Sequence, residues 1–280
     1  MQGLRRGQNR SDLTVVRILT SKRNAAISFL VNFRAAKVYK DFVSLYVFAT
    51  IPQKNMQMMK KKLTIPALID CAKGFCSEES GVFRPELFGV TDGKAVGTFV
   101  EHLFKSYLSE RYELQIGNSA AGLDLPSVNT DIKVTSIRQP QSSCPYRDSR
   151  QKIYGLGYNL IVFVYRKDDD EIRRAGKLEH LSCTFVEAAR TADYQTTTGL
   201  LGIIENNGNA DDIFAFLSDH KIPADEVTLA NMAEEILKNP PKVGYLTISN
   251  ALQWRLQYGR IVSLNEDVEG ITSIVKYGGE

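Results

Sequence analysis

Clustered soft metal ligands are missing from this sequence. Its four cysteines and three histidines are scattered through 280 residues. Only Cys71 and Cys76 lie close together, and no Cys/His pair follows at a zinc-site spacing. A structural zinc site is therefore set aside, and buried reduced thiols in a cytosolic protein are expected. An uninterrupted apolar run of membrane length is missing too. The stretch around Ala25–Ile51 is broken by Arg34, Lys37, Lys40 and Asp41, too many charges for a span. It also lacks the short apolar core and small-residue cleavage site of a secretory signal. After residue 59 there is no internal repeat and no low-complexity linker.

A strong net charge is absent overall, at +3, but the charges are unevenly spread. Residues 1–59 hold ten Lys/Arg, two Asp and no Glu, for +8, and the remainder sums to −5. Basicity therefore gives no argument for nucleic-acid binding by the main body. A DNA-binding surface there would have to be a local basic groove. The acid-poor leader fits either an organelle transit peptide or an over-extended reading frame whose true start is Met56, Met58 or Met59. We favour the second, because Met59-Lys-Lys-Lys runs straight into ordinary globular sequence. The expected organisation is a basic extension over 1–59, an α/β core over 60–175, and a mostly helical portion over 176–280 packed on it.

What is present is a 43% apolar, 24% charged chain with ordinary globular patterning. Ile65, Leu68, Ile69 and Ala72 predict a short amphipathic helix within Leu63–Phe75. Val96, Phe99, Val100, Leu103, Phe104, Tyr107 and Leu108 recur at three- and four-residue steps and predict a stronger one over Ala95–Arg111. Glu101 and Lys105 fall off its apolar stripe. Glu113–Ile116 reads as a strand. Asn159–Tyr165 is a continuous apolar run of strand length, expected to be central and buried on both faces. An acidic turn is expected at Asp168–Glu171, and a loop over Ile137–Arg147. Helices are expected over Lys177–Ala192, Thr198–Asn206, Asp211–Asp219, Thr228–Lys238 and Ser249–Gly259, with strands at Gly244–Ile248 and Arg260–Leu264.

The stretch Gly122–Ser136 concentrates the chemistry. Asp131-Ile-Lys-Val-Thr135 alternates polar and apolar residues and reads as a strand, which puts Asp131 and Lys133 on one face. A turn at Pro126–Asn129 would bring Asp124 back beside Asp131. Two carboxylates and an amine at one spot can hold a divalent metal and position an attacking water for phosphodiester hydrolysis. A solvated Asp–Lys pair on a polar hairpin is the plainer explanation of the same string.

Helix, acid-bearing hairpin, short helical piece and buried strand resemble the PD-(D/E)xK nuclease fold, the core shared by many Type II restriction endonucleases. The resemblance extends to Gly93-Lys94 with Glu101, to Leu123-Asp-Leu-Pro-Ser with Asp131-Ile-Lys-Val-Thr-Ser-Ile-Arg-Gln-Pro-Gln-Ser-Ser143, and to Arg150-Gln-Lys-Ile-Tyr-Gly-Leu-Gly-Tyr-Asn-Leu160. It covers residues 93–165 well and the C-terminal portion loosely. It implies Asp124 and Asp131 as the motif acids, Lys133 as its lysine, and Glu101 as an additional acid from the helix. Here Leu123 stands before the first acid instead of Pro, and the acids are only six residues apart, so Asp92 and Glu113 remain alternatives to Asp124. Mg²⁺ would be held by Asp124, Asp131 and the carbonyl of Ile132.

For DNA contact, Arg138, Gln139 and Gln141 have side chains suited to base edges or phosphates, although a solvated loop explains them equally well. Gln151 and Tyr154 suit the DNA backbone or helix–strand packing. Asn250, Gln253, Arg255, Gln257 and Arg260 gather base-reading side chains around Trp254 and Tyr258, and for those two aromatics a core position is preferred. The resemblance implies a cytoplasmic, Mg²⁺-dependent, sequence-specific DNA endonuclease, a homodimer paired functionally with a DNA methyltransferase. The alternatives are a repair nuclease of the same fold or a DNA-binding protein without catalysis.

Overall fold

The computed structural model describes residues 60–114, 122–144, 147–249 and 254–278. The expected start at Met56, Met58 or Met59 lies outside them, as do Asn250 and Gln253. In chain order the described elements are β1 (Lys61–Lys62), α1 (Ile65–Glu79), β2 (Phe83–Arg84), α2 (Gly93–Arg111), β3 (Tyr112–Glu113), β4 (Thr130–Ser136) and β5 (Gln141–Cys144). Then come α3 (Gln151–Tyr154), β6 (Asn159–Asp170), β7 (Ala175–Val186), α4 (Tyr194–Glu205), α5 (Ala210–Asp219) and α6 (Glu226–Lys238). The last are β8 (Thr247–Ile248), β9 (Trp254–Gln257), α7 (Gly259–Val262) and β10 (Ile271–Val275).

The result is an α/β architecture around a mixed sheet flanked by helices. Its order is β10-β7-β6-β4, with β2 pairing further along β7. β4 and β6 run parallel, and the other pairs are antiparallel. The apolar run in β6 explains its central place. Ile161, Phe163 and Tyr165 enter one core with α1 and α2, while Leu160, Val162 and Val164 enter a second with Trp254, Leu256 and Tyr258. Helix α2 starts where the Asp92 carboxylate accepts the N–H groups of Lys94 and Ala95. It buries Val96, Val100, Phe104 and Leu108. Phe104 meets Phe75 at 5.0 Å and Phe163 at 4.9 Å between ring centroids. Each such aromatic contributes about 1.5–3 kcal/mol by burial. A third core joins α4, α5 and α6 through Leu200, Ile213, Leu217, Met232 and Ile236, with Ile153 of α3.

Several sequence expectations are corrected. The helix expected over Lys177–Ala192 is instead strand β7, paired with β6 from Leu160↔Val186 to Asp170↔Ala175. The inward positions of β7 include His180, Ser182 and Thr184, all buried, and these polar residues hide the alternation. The C-terminal portion is therefore mixed, and the line between residues 175 and 176 falls within this hairpin. Strand β6 also continues through the acidic stretch to Asp170. In the helix expected over Ser249–Gly259, residues 250–253 lie outside the described residues and Trp254–Gln257 form strand β9 instead. The Ser249 hydroxyl accepts the Arg255 N–H at 3.1 Å. The strand expected at Arg260–Leu264 is the short helix α7, and the loop over Ile137–Arg147 contains β5. Strands β5, β9 and β8 form a separate antiparallel sheet in that order.

Candidate active site

The local sequence closes the turn before β4 in a definite way. Pro126–Val128 forms a single 3₁₀ turn, and Asn129 adopts the left-handed conformation that asparagine tolerates. Leu125 and Thr130 then exchange hydrogen bonds, N–H to carbonyl, at 3.0 and 3.2 Å. Residues one step further out must face each other, so Asp124 lies against Asp131. The Ile132 N–H donates to Asp124 Oδ2 at 3.0 Å. Strand alternation sends Ile132 into the core, with Val134 packed against it, and leaves Asp131 and Lys133 together on the opposite face. Lys133 Nζ sits 2.6 Å from Asp131 Oδ2.

Helix α2 supplies the other wall. Glu101 and Lys105 are one turn apart on its flank, and Lys105 Nζ is 2.6 Å from both Glu101 Oε1 and Asp124 Oδ1. The structure thus brings together Glu101, Asp124, Asp131 and Lys133, and adds Lys105, which sequence reading had only placed off the apolar stripe. Its signal was the Glu101–Lys105 spacing of four, a common surface pairing. The alternative acids are elsewhere: Asp92 caps α2, and Glu113 is exposed on β3.

The electrostatics set the two acids apart. Burial opposes ionisation of Asp124, yet hydrogen bonds from Asp131, Lys105 and the Ile132 N–H outweigh it and hold its carboxyl below the usual range. For Asp131, burial and the hydrogen bond to Asp124 push the carboxyl up, against the pull of Lys133. Lys105 is moved up: burial disfavours its charge, but its bonds to Asp124 and Glu101 more than offset that. Such an arrangement, rich in hard oxygen donors and balanced by two amines, suits a hard divalent cation. Among the described residues no group of three or more His, Cys, Asp or Glu side chains is gathered to hold a metal. Two carboxylates, a carbonyl, waters and a substrate phosphate are the set Mg²⁺ ordinarily accepts.

The sequence candidates for DNA contact fall into two places. Gln141 of β5 pairs with Gln257 of β9, and Ser143 pairs with Arg255. Thr247 of β8 faces Gln257. These five share one face of the small sheet, while Ser142, Cys144, Trp254, Leu256 and Ile248 share the other, four of them buried. Trp254 and Tyr258 are accordingly core residues, as preferred from the sequence. Ser143 and Thr247 were missed, because nothing local marks them. Arg138 and Gln139 are exposed in the turn joining β4 to β5. The Thr135 hydroxyl of β4 ties that turn down, accepting the Gln141 N–H at 3.1 Å. Gln151 stands apart: its amide accepts the Arg147 and Asp148 N–H groups and donates to the Leu156 carbonyl. Tyr154 donates its hydroxyl to the Asn239 carbonyl, and Arg260 lies over the Tyr194 ring.

With this geometry in view, likeness to known proteins becomes informative. The family model of Type II restriction enzyme NspV matches residues 62–273. The chain belongs to the NspV family of Type II restriction enzymes. It is 53% identical over 214 residues to Type II restriction enzyme NspV of Nostoc sp. (strain ATCC 29411 / PCC 7524), covering 76% of this chain and 97% of that protein. No solved structure matches the chain. The membership makes it a restriction endonuclease, a site-specific deoxyribonuclease, and thereby a DNA-binding protein. Among the described residues no helix is long and apolar enough to cross a membrane.

Proposed function

We propose that this restriction endonuclease is a PD-(D/E)xK enzyme that cuts double-stranded DNA with Mg²⁺, using Asp124, Asp131 and Lys133 as its motif residues. The observation that carries this reading is the turn that lays Asp124 against Asp131, with Lys133 beside them on the same strand face. Asp124, Asp131 and the carbonyl of Ile132 would hold the metal, and Glu101 would contribute from α2. Bound there, Mg²⁺ supplies Lewis-acid polarisation of the scissile phosphate and acidifies an attacking water. Lys133, tethered to Asp131, directs its ammonium at the water and at charge developing on the phosphate oxygens. The half-buried walls of α2 and β4 limit solvent around these charges and strengthen them.

The outer face of the β5–β9–β8 sheet is the proposed reading surface. Arg255 suits guanine, Gln141 and Gln257 suit adenine, and Ser143 and Thr247 can serve either partner. The antiparallel pair β5–β9 within it is a two-stranded ribbon of the kind a major groove admits. Arg138, Gln139 and, beyond the described residues, Gln253 extend the polar surface. A cut through both strands of a palindromic site calls for two copies of the centre, so the enzyme is proposed to act as a homodimer. It would work in the cytoplasm beside a DNA methyltransferase that protects host sites, as a restriction–modification system requires. Digestion of plasmid DNA with Mg²⁺ and with EDTA tests the reading: discrete fragments appear only with the metal. Fragments formed equally in EDTA would overturn the metal requirement, and random nicking would favour a repair-type nuclease.

A further inference from the structure

Both oxygens of Asp124 are already engaged. Oδ2 accepts the Ile132 N–H at 3.0 Å, and Oδ1 takes Lys105 Nζ at 2.6 Å. The same ammonium lies 2.6 Å from Glu101 Oε1, so it bridges the two walls of the site. Lys105 and its two partners are all part-buried, with 20–29% of each side chain exposed, and the bridge is more than a loose surface pair. A divalent cation bound to Asp124 Oδ1 competes with this ammonium for the same oxygen.

We infer that Lys105 is an internal counter-ion of the metal-free site and is exchanged for the divalent metal when that metal binds. The inference rests on the proposed metal role of Asp124 and Asp131. Without metal, Lys105 bridges Glu101 and Asp124 while Lys133 pairs with Asp131, so each acid has a cation beside it. On metal entry Lys105 leaves Asp124 Oδ1 and stays on Glu101, one helical turn away on α2. The released ammonium then adds to the positive field on the side from which a phosphodiester approaches. Lys105 is accordingly a positioning residue. It acts through Asp124 and Glu101, and its removal has opposite effects on the metal-free fold and on metal affinity.

The test uses the full chain without DNA, titrated with Mg²⁺ calorimetrically and melted with and without the metal. In Lys105→Met the long apolar stem remains but the charge is gone. Its metal-free melting temperature falls, and its Mg²⁺ affinity rises about tenfold, because one positive charge beside the cation has been removed. Lys105→Arg keeps the charge and returns both quantities towards wild type. A merely structural lysine would lower stability without raising affinity. Mg²⁺ binding by Lys105→Met that is unchanged or weaker, while Asp131→Asn abolishes binding, would overturn the exchange alone. Mg²⁺ binding that survives Asp131→Asn would instead overturn the metal reading and the exchange with it.

Discussion

The charged cluster beside β4 and the outer face of the β5–β9–β8 sheet are built on opposite principles. In the cluster every charge is matched at close range: Lys133 with Asp131, and Lys105 with Asp124 and Glu101, all at 2.6 Å. On the sheet, Arg255 and Gln257 of β9 are exposed, and the polar residues around them are mostly uncharged. In the proposed function the first region would hold and polarise a small charged centre. The second offers hydrogen-bonding groups at strand spacing. They are joined through β4, whose N-terminal half carries Asp131 and Lys133 and whose Thr135 anchors the turn into β5. Under the proposed function, this contrast would separate chemistry from reading within one stretch of chain.

Changes in the charged cluster beside β4 should impair cleavage and spare binding. Lys133→Ala is expected to slow single-turnover cleavage by about 10²–10³-fold, while fluorescence anisotropy shows DNA affinity little changed. A matching loss of affinity would mean that the two regions are not separable.

A residue outside both regions serves as a control on stability. His180 is buried against Phe75 and Phe163, its Nδ1 has no hydrogen-bond partner among the described residues, and burial pushes its ring down to about 4. Because the folded state favours the neutral ring, its stability is full above the unfolded value of 6.5 and is lost as pH falls from there towards 4. The loss amounts to about 3 kcal/mol over that window. His180→Phe should flatten this part of the melting-temperature curve relative to wild type. An unaltered curve would show that other groups carry the acid sensitivity.

On the sheet, Arg255→Ala should weaken specific binding by about 1–3 kcal/mol and relax selectivity at one base pair, leaving the cleavage step intact on DNA that is bound. Equal weakening on all sequences would make Arg255 a phosphate contact. The smallest effect belongs to the link. Thr135→Val leaves the Gln141 N–H without its partner and should cost about 1 kcal/mol in stability, with selectivity reduced more than the cleavage rate. The reverse order would place Thr135 with the chemistry.

How far these regions were readable in the sequence follows from the range of their interactions. Asp131 and Lys133 follow from alternation alone, and Asp124 from a turn with Pro126 and Asn129 at its ends. Helix α2 announced its buried stripe at helical spacing. Lys105 looked like half of a surface pair because its second partner is 19 positions away. Strand β7 was misread because His180, Ser182 and Thr184 point inward where apolar residues are usual. The small sheet was split into a loop and a helix, since β5 and β9 are more than a hundred residues apart and the inner face of β5 consists of the small side chains Ser142 and Cys144. Pairings of that range leave no local pattern.

The most direct measurement is Mg²⁺-dependent cleavage of one DNA substrate by wild type and by Asp131→Asn, with binding followed in parallel. Asp131 is the acid that touches both Asp124 and Lys133, and the account predicts that its amide variant binds DNA but leaves it uncut. Cleavage by Asp131→Asn at a rate within a few-fold of wild type would contradict the placement of the active site on β4.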